Sequence, residues 1–196
     1  MRIIRLDEQS RKNLLEDLLK RDPNNYTSYE TTVQAIVEDV RSRRDQAVFA
    51  YTENFDKVRL DASSIRVTDR EIEEAYAQVD PELLTVMRHS MENIRRYHEK
   101  QKRNSWFASK PDGTILGQKV TPLASVGVYV PGGKAAYPSS VLMNIIPAEV
   151  AGVSRIVMVT PPGRDGKVNP VTLVAAHLAG ATEVYKVGGA QAVAAL

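Results

Sequence analysis

The fold follows from residues 126–160, which read VGVYVPGGKAAYPSSVLMNIIPAEVAGVSRIVMVT. This stretch begins and ends with short runs rich in β-branched residues, over 126–130 and 155–160. Between them, residues 139–151 form an apolar segment of helical length. A strand, a helix and a second strand at this spacing are typical of a βαβ unit with a right-handed crossover.

The same alternation continues through the rest of the chain. A second helical stretch over 170–179 leads to a third β-rich run, EVYKV (183–187), and AQAVAAL (190–196) begins a further helix. We therefore predict an α/β protein with an incomplete Rossmann-like parallel sheet and flanking helices. In such sheets, ligands bind outside the carboxyl ends of the strands. The turns at these ends are 131–140, 161–169 and 188–191.

Charge is distributed unevenly along the 196 residues. Residues 1–118 contain 41 charged side chains, whereas residues 119–196 contain 9 of them, together with 9 of the 11 glycines. Solvated helices favour the first composition, and a buried sheet with tight turns favours the second. We predict an N-terminal helical region over 1–118, as part of a larger domain, and a Rossmann-like nucleotide-side domain over 119–196. The second domain is expected to be truncated at its C-terminal end.

Local signals mark the starts of elements in the first region. Asp7 is a candidate N-cap for a helix reaching about Lys20, and Thr68 with Glu71 has the spacing of a capping box. Asp80 followed by Pro81 predicts the start of a long helix. Residues 64–67 are a candidate short strand. We also expect the truncated sheet to leave an open edge after its third strand.

Composition excludes several functional classes. The net charge of +2 is too balanced for a protein that mainly binds nucleic acid. The chain has no cysteine, so disulfides and thiolate-based metal sites are excluded. No apolar run approaches a membrane span, and a cytoplasmic protein with no membrane partner is expected. The spacing of His89, His98 and His177 does not match a zinc site, so we assign no metal ligands in this chain.

The turn over 129–140, YVPGGKAAYPSS, is the densest functional candidate. It is not a P-loop, because Ala135 follows the Gly-Lys pair where serine or threonine is needed, and G-x-G-x-x-G occurs nowhere in the chain. Paired glycines after a strand allow a ligand to approach the backbone closely, but they are also ordinary turn residues. In the GGAQ turn (188–191), the Gln191 amide could likewise hold a polar ligand or face water. The residues alone leave both alternatives open.

Three motifs together carry a family resemblance. The run from VGVYVPGGKAAYPSS (126–140) to VTPP (159–162), then AAHLAG (175–180) and VGGAQAVAAL (187–196), closely resemble the histidinol dehydrogenase family. The resemblance implies a zinc- and NAD-dependent oxidoreductase that converts L-histidinol through L-histidinal to L-histidine, the last steps of histidine biosynthesis. It also implies a homodimer as the full-length enzyme.

The resemblance also implies roles for individual residues. The family contacts NAD through a tyrosine and a glutamine in these motifs, which correspond here to Tyr129 and Gln191. Pro131, Gly132 and Gly133 are then expected to be loop neighbours of the nucleotide. Lys134 and Ser140 are weaker candidates for the same site.

The chain is short for this family, whose zinc ligands and proton-transferring residues are expected beyond residue 196. The resemblance therefore implies the N-terminal part of the enzyme, inactive by itself. An alternative from another class is a stand-alone module that binds a nucleotide or a partner without catalysis. We favour the enzyme fragment, because the chain stops inside an apolar helix, whereas domain ends usually lie in polar linkers.

Overall fold

Helices and a small hairpin precede a parallel sheet with crossover helices. The computed structural model of the protein describes residues 7–12, 26–132 and 136–196. The named elements are α1 (Thr27–Arg43), α2 (Asp45–Asp56), α3 (Asp69–Tyr76), α4 (Pro81–Glu99), β1 (Trp106–Ser109), β2 (Ile115–Gln118), β3 (Ser125–Tyr129), α5 (Pro138–Ala151), β4 (Arg155–Thr160), α6 (Pro170–Ala179), β5 (Glu183–Lys186) and α7 (Gly189–Ala195). No described helix is long and apolar enough to span a membrane.

The three predicted strands form one parallel sheet in the order β3-β4-β5. Tyr129 is in register with Val159, and Thr160 is in register with Lys186, so the three strands end at a common edge. The observed strands agree with the predicted ones to within one residue at each end. The predicted α/β class and the parallel sheet are confirmed.

Helices cover both faces of this sheet. On one face α5 and α6 pack against each other and against α4 and α3, around side chains such as Ile146, Met158 and Val174 that have no more than 1% exposure. On the other face α7 packs against α1 and α2, around Val159 and Ala192. The helices of residues 1–118 therefore share both cores with the sheet.

The outer edge of β5 is covered by the segment Ile65 to Val67. The Val67 N–H donates to the Val184 carbonyl at 2.9 Å, and the Lys186 N–H donates to the Ile65 carbonyl at 2.8 Å. The predicted strand over 64–67 is thus reduced to one antiparallel bridge, between Arg66 and Tyr185. The expected open edge after the third strand is wrong, because a chain segment more than 100 residues earlier in sequence covers it.

An antiparallel hairpin, β1 with β2, was not predicted in the first region. Its strands have four residues each, and all of them are exposed, so no alternation of buried and exposed positions marks them in the sequence. Position 117 requires glycine because the two strands approach closely there: a Cβ atom would lie 2.4 Å from the Trp106 carbonyl oxygen. Residues 1–118 are therefore not helical throughout.

The predicted helix starts agree with the observed hydrogen bonds. The Glu71 N–H donates to Thr68 Oγ1 at 3.3 Å and the Thr68 N–H donates to Glu71 Oε2 at 2.9 Å, which completes the capping box. Asp80 Oδ1 accepts from the Glu82 N–H at 2.8 Å. At the first predicted helix, residues 8–12 are helical and the Ser10 N–H donates to Asp7 Oδ1 at 2.7 Å; the rest of that prediction lies outside the described residues.

Glu183, at the start of β5, makes the stability of the fold depend on pH in the acid range. Its carboxylate accepts hydrogen bonds of 2.7 Å from Arg155 Nε and from the Tyr185 hydroxyl, and these lower its pKa from 4.5 to about 2. A carboxylate with a lowered pKa stabilises the fold at pH values above its ordinary pKa of 4.5. This stabilisation is lost as the pH falls towards 2.

We expect Glu183→Gln to cost about 1 kcal/mol or less at neutral pH, because Arg155 is largely exposed to solvent. The difference in unfolding free energy between the variant and the parent protein should become smaller as the pH falls from 4.5 to 2, because the parent loses the same interaction. Thermal melts across this range measure it, with Glu53→Gln, an exposed carboxylate in α2, as the control. A difference that stays constant down to pH 2 would contradict the assignment.

Candidate functional site

The turns that follow the three parallel strands meet around Pro161. A Cβ atom at Gly132, after β3, would lie 2.8 Å from Pro161 Cγ. A Cβ atom at Gly188, after β5, would lie 2.6 Å from Pro161 Cβ. These distances are too short for real side-chain atoms, so both positions need glycine for the turns to pack at this edge.

Tyr129 connects the first of these turns to the last. It is the final residue of β3, and its hydroxyl accepts a hydrogen bond from the Gly189 N–H at 3.3 Å. A phenol hydroxyl can accept and donate at once, so its own proton stays available to a bound group. The side chain is 37% exposed, which leaves part of the ring open to a ligand. The structure therefore brings together two motifs that lie 60 residues apart.

Gln191 lies in the first turn of α7 and is buried, with 1% exposure. Its Oε1 has no hydrogen-bond partner among the described residues. Gly189 has a φ of +68°, and a Cβ atom there would lie 2.6 Å from this oxygen, so the glutamine folds back against the glycine. An unpaired buried acceptor costs about 1–3 kcal/mol. The alternative of a solvent-facing Gln191 is thus excluded, and its amide is suited to a polar ligand.

The N-terminus of α5 comes after the turn that follows β3, and no side chain among the described residues caps it. Its N-cap residue, Tyr137, makes no capping hydrogen bond, whereas Asn169 caps α6 by accepting from two backbone N–H groups. The first N–H groups of a helix need partners from outside it, and they attract negative charge. Ser140 is half-buried in this first turn. Pro131 and Gly132 are exposed, while Gly133 and Lys134 lie outside the described residues.

The histidines occupy separate positions. His89 is exposed on α4, Nδ1 of His98 lies 2.7 Å from Gln101 Oε1, and Nδ1 of His177 lies 3.0 Å from the Tyr76 hydroxyl. Within residues 7–12, 26–132 and 136–196, no group of three or more histidine, aspartate or glutamate side chains is arranged to hold a metal ion. The described residues therefore do not fit a zinc site.

Sequence reasoning missed a buried ion pair that supports the same edge. Lys186, the last residue of β5, is 5% exposed, and its Nζ lies 2.8 Å from Glu71 Oε1. Burial raises the pKa of Glu71, but the hydrogen bonds from Lys186 and Thr68 outweigh it, so the pKa is lowered. The available signal was the alternation of β5, which places Lys186 on the same inward face as Val184.

A cavity of about 440 Å³ lies on the sheet face that α7 partly covers. Its lining includes Ser125, Arg155 and Leu196, and neither Tyr129 nor Gln191 belongs to it. Ser125 and Arg155 are the first residues of their strands, whereas Val159 and Val187 lie near the carboxyl ends, so the cavity extends along this face of the sheet. The cavity therefore adjoins the candidate site without being lined by Tyr129 or Gln191.

Comparisons with known proteins agree on one family. The family model described as histidinol dehydrogenase matches residues 19–196. Histidinol dehydrogenase of Bacillus subtilis strain 168 is 61% identical over 165 residues, which cover 84% of this chain and 38% of that protein. The enzyme of the same name from Clostridium acetobutylicum is 46% identical over 196 residues, which cover 100% of this chain and 45% of that protein.

A solved structure gives the same relationship. The crystal structure of histidinol dehydrogenase from Elizabethkingia anophelis matches with a TM-score of 0.79 and 37% identity, over 85% of this chain and 38% of that one. The chain thus spans about two fifths of the length of the relatives that it matches.

Proposed function

The chain belongs to the histidinol dehydrogenase family, and on that premise we propose that it is the N-terminal part of an NAD- and zinc-dependent dehydrogenase. The proposed enzyme oxidises L-histidinol via L-histidinal to L-histidine and works as a homodimer in histidine biosynthesis. The observation that carries the proposal is the hydrogen bond from the Gly189 N–H to the Tyr129 hydroxyl, since it joins the two motifs assigned to NAD at one edge of the sheet.

The residues at this edge suit a nicotinamide nucleotide. When bound, NAD would accept the hydride that substrate oxidation releases. We propose that the exposed part of the Tyr129 ring packs against the nucleotide and that the unpaired Gln191 oxygen accepts a hydrogen bond from it. The uncapped start of α5 would face the negative charge of the phosphates. Pro131, Gly132 and Gly133 would form the adjoining loop.

Zinc has no place among the residues described here. We propose that its ligands, and the residues that transfer protons, come from the part of the full-length protein that follows residue 196. The role proposed for this chain is to hold and orient NAD at the carboxyl edge of the sheet. The 196-residue chain alone is proposed to be inactive, so it serves as the negative control for the assay below.

The experiment measures NADH formation from L-histidinol by the full-length protein and its variants. We expect Tyr129→Ala and Gln191→Ala each to raise the KM for NAD about tenfold, which corresponds to the loss of about 1.4 kcal/mol of binding. Tyr129→Phe should have a smaller effect, because it keeps the ring and loses only the hydroxyl that accepts the Gly189 N–H.

Tyr97→Ala is the matched control, since that tyrosine is exposed on α4. An unchanged KM for NAD in both alanine variants would show that these positions do not contact the nucleotide. NADH formation by the 196-residue chain alone would contradict its proposed inactivity.

A further inference from the structure

Lys186, the last residue of β5, is held by the chain segment that covers the outer edge of the sheet. Its backbone N–H donates to the Ile65 carbonyl at 2.8 Å, and its Nζ lies 2.8 Å from Glu71 Oε1. The side chain is buried, and a buried charge is strongly unfavourable unless it is paired. Lys186 is therefore fixed at two points, one on its backbone and one at the end of its side chain.

Glu71 is itself held in one orientation. Its Oε2 accepts hydrogen bonds from the Thr68 N–H at 2.9 Å and from the Thr68 hydroxyl at 3.1 Å, which leaves Oε1 to accept from Lys186. The carboxylate is thus tied to the start of α3, and α3 packs against α6 in the core on one face of the sheet. The lysine therefore pairs with a group whose position the fold has already fixed.

The turn that follows Lys186 is short and constrained. Four residues separate Lys186 from Gln191. Val187 is 3% exposed and packs in the core on the opposite face of the sheet, and Gly188 lies against Pro161. The end of β5 is therefore held from both faces, and the turn has little freedom to absorb a displacement of Lys186. A displacement there would move Gln191.

An ion pair at this position supplies fixed geometry more than stability. Replacing both members of a buried pair by uncharged residues of similar volume is often neutral for stability. A fully satisfied polar contact nevertheless fixes two groups relative to each other, whereas apolar contacts tolerate small shifts. We propose that Glu71 and Lys186 are positioning residues, which hold the GGAQ turn (188–191) where Gln191 contacts NAD. This inference rests on the proposed function, since it concerns the same NAD site.

The test uses a pair variant of the full-length protein, Glu71→Gln with Lys186→Met. It removes both charges, so no unpaired charge is left buried, and glutamine keeps the capping box with Thr68. The matched control is Glu92→Gln with Arg96→Met, which removes an exposed ion pair on α4 whose side chains are 67% and 64% exposed. The parent protein and both variants are compared below their melting temperatures.

The first measurement is amide hydrogen exchange over residues 187–191 without NAD. We expect exchange in this turn to be about tenfold faster in the pair variant, because the turn opens more often when β5 is no longer held at its end. Exchange over β4 is the internal control and should stay at the rate of the parent, as should exchange over 187–191 in the Glu92 and Arg96 variant. Unchanged exchange over 187–191 in the pair variant would overturn the proposal.

The second measurement is the KM for NAD with L-histidinol as the substrate. We expect the pair variant to raise this KM about fivefold and to keep kcat within about twofold of the parent, because a displaced contact weakens NAD binding. A merely structural role would reduce the amount of folded enzyme, and so the apparent kcat, without changing the KM. When Gln191→Ala is already present, the pair variant should add no further increase, because the pair acts through that residue.

The outcomes separate this inference from the proposed function. A raised KM in Gln191→Ala with an unchanged KM in the pair variant would overturn the positioning role, and so would a full fivefold increase in the Gln191→Ala background. Faster exchange of the turn with an unchanged KM in both variants would support the positioning of the turn and contradict the proposed contact between Gln191 and NAD.

Discussion

Replacing Glu71 by glutamine is expected to destabilise the protein by about 3–5 kcal/mol, because it leaves the Lys186 ammonium buried without its counter-charge. The lysine side chain is 7% exposed, and its Nζ lies 2.8 Å from Glu71 Oε1. Glutamine keeps the capping box with Thr68, since its side chain can still accept from the Thr68 N–H. The substitution therefore removes the charge while it preserves the start of α3.

Glu74→Gln on the same helix is the matched control. Glu74 bonds to Lys167 at 2.9 Å, but that lysine side chain is 56% exposed, so water can solvate it when the partner is lost. A much smaller loss than for Glu71→Gln is expected there, because exposed ion pairs contribute little to stability. Denaturant unfolding followed by circular dichroism measures both variants. Equal losses of stability for Glu71→Gln and Glu74→Gln would show that burial does not strengthen the ion pair between Glu71 and Lys186.

The double variant Glu71→Gln with Lys186→Met tests the cause. If the cost arises from the unpaired lysine charge, removing that charge should recover much of the stability lost in Glu71→Gln. A double variant as unstable as the single one would instead assign the loss to packing at the end of β5.

Gly188→Ala is expected to cost a few kcal/mol and to weaken NAD binding, because its Cβ atom would lie 2.6 Å from the Cβ of Pro161. Gly132→Ala meets the same proline from the other side, at 2.8 Å from Cγ. Both substitutions force the turns at the carboxyl edge apart. Since Tyr129 and Gln191 are positioned by these turns, the KM for NAD in the full-length protein should rise with the loss of stability.

The atoms of Pro161 allow a selective rescue. Pro161→Ala removes Cγ and Cδ, the nearest ring atoms to position 132, but keeps Cβ, the nearest atom to position 188. We expect Pro161→Ala to restore much of the stability of Gly132→Ala and little of that of Gly188→Ala. Thermal denaturation of the three single variants and of the two double variants that carry Pro161→Ala measures this. Equal rescue of both, or of neither, would contradict the proposed contacts.

Much of the fold could be predicted from short stretches of sequence. The bounds of β3, β4 and β5, the helices between them and the caps at Thr68 and Asp80 all depend on patterns within a few residues. The hairpin of β1 and β2 was not predicted, because its eight residues are all exposed. A strand is recognised in a sequence by the alternation of buried and exposed positions, which is missing here.

The candidate site was predicted less completely. Tyr129 and Gln191 were assigned through a family resemblance, and the residues alone could not decide whether Gln191 faces water. Its burial and its unpaired oxygen depend on how α7 packs between the sheet and the helices α1 and α2. Pro161 was predicted only as part of a turn at the carboxyl end of a strand, and its contact with two glycines from other turns could not be predicted from the sequence.

The sequence by itself determined the class of the protein, the alternation of its strands and helices, and the family to which it belongs. These properties follow from local periodicity, from capping residues and from contiguous motifs. Only the tertiary structure decided which sheet edge is covered, that Lys186 pairs with Glu71, and that Tyr129 meets Gly189. Each of these contacts joins residues 60 or more positions apart, so it arises from the packing of elements and not from any local pattern.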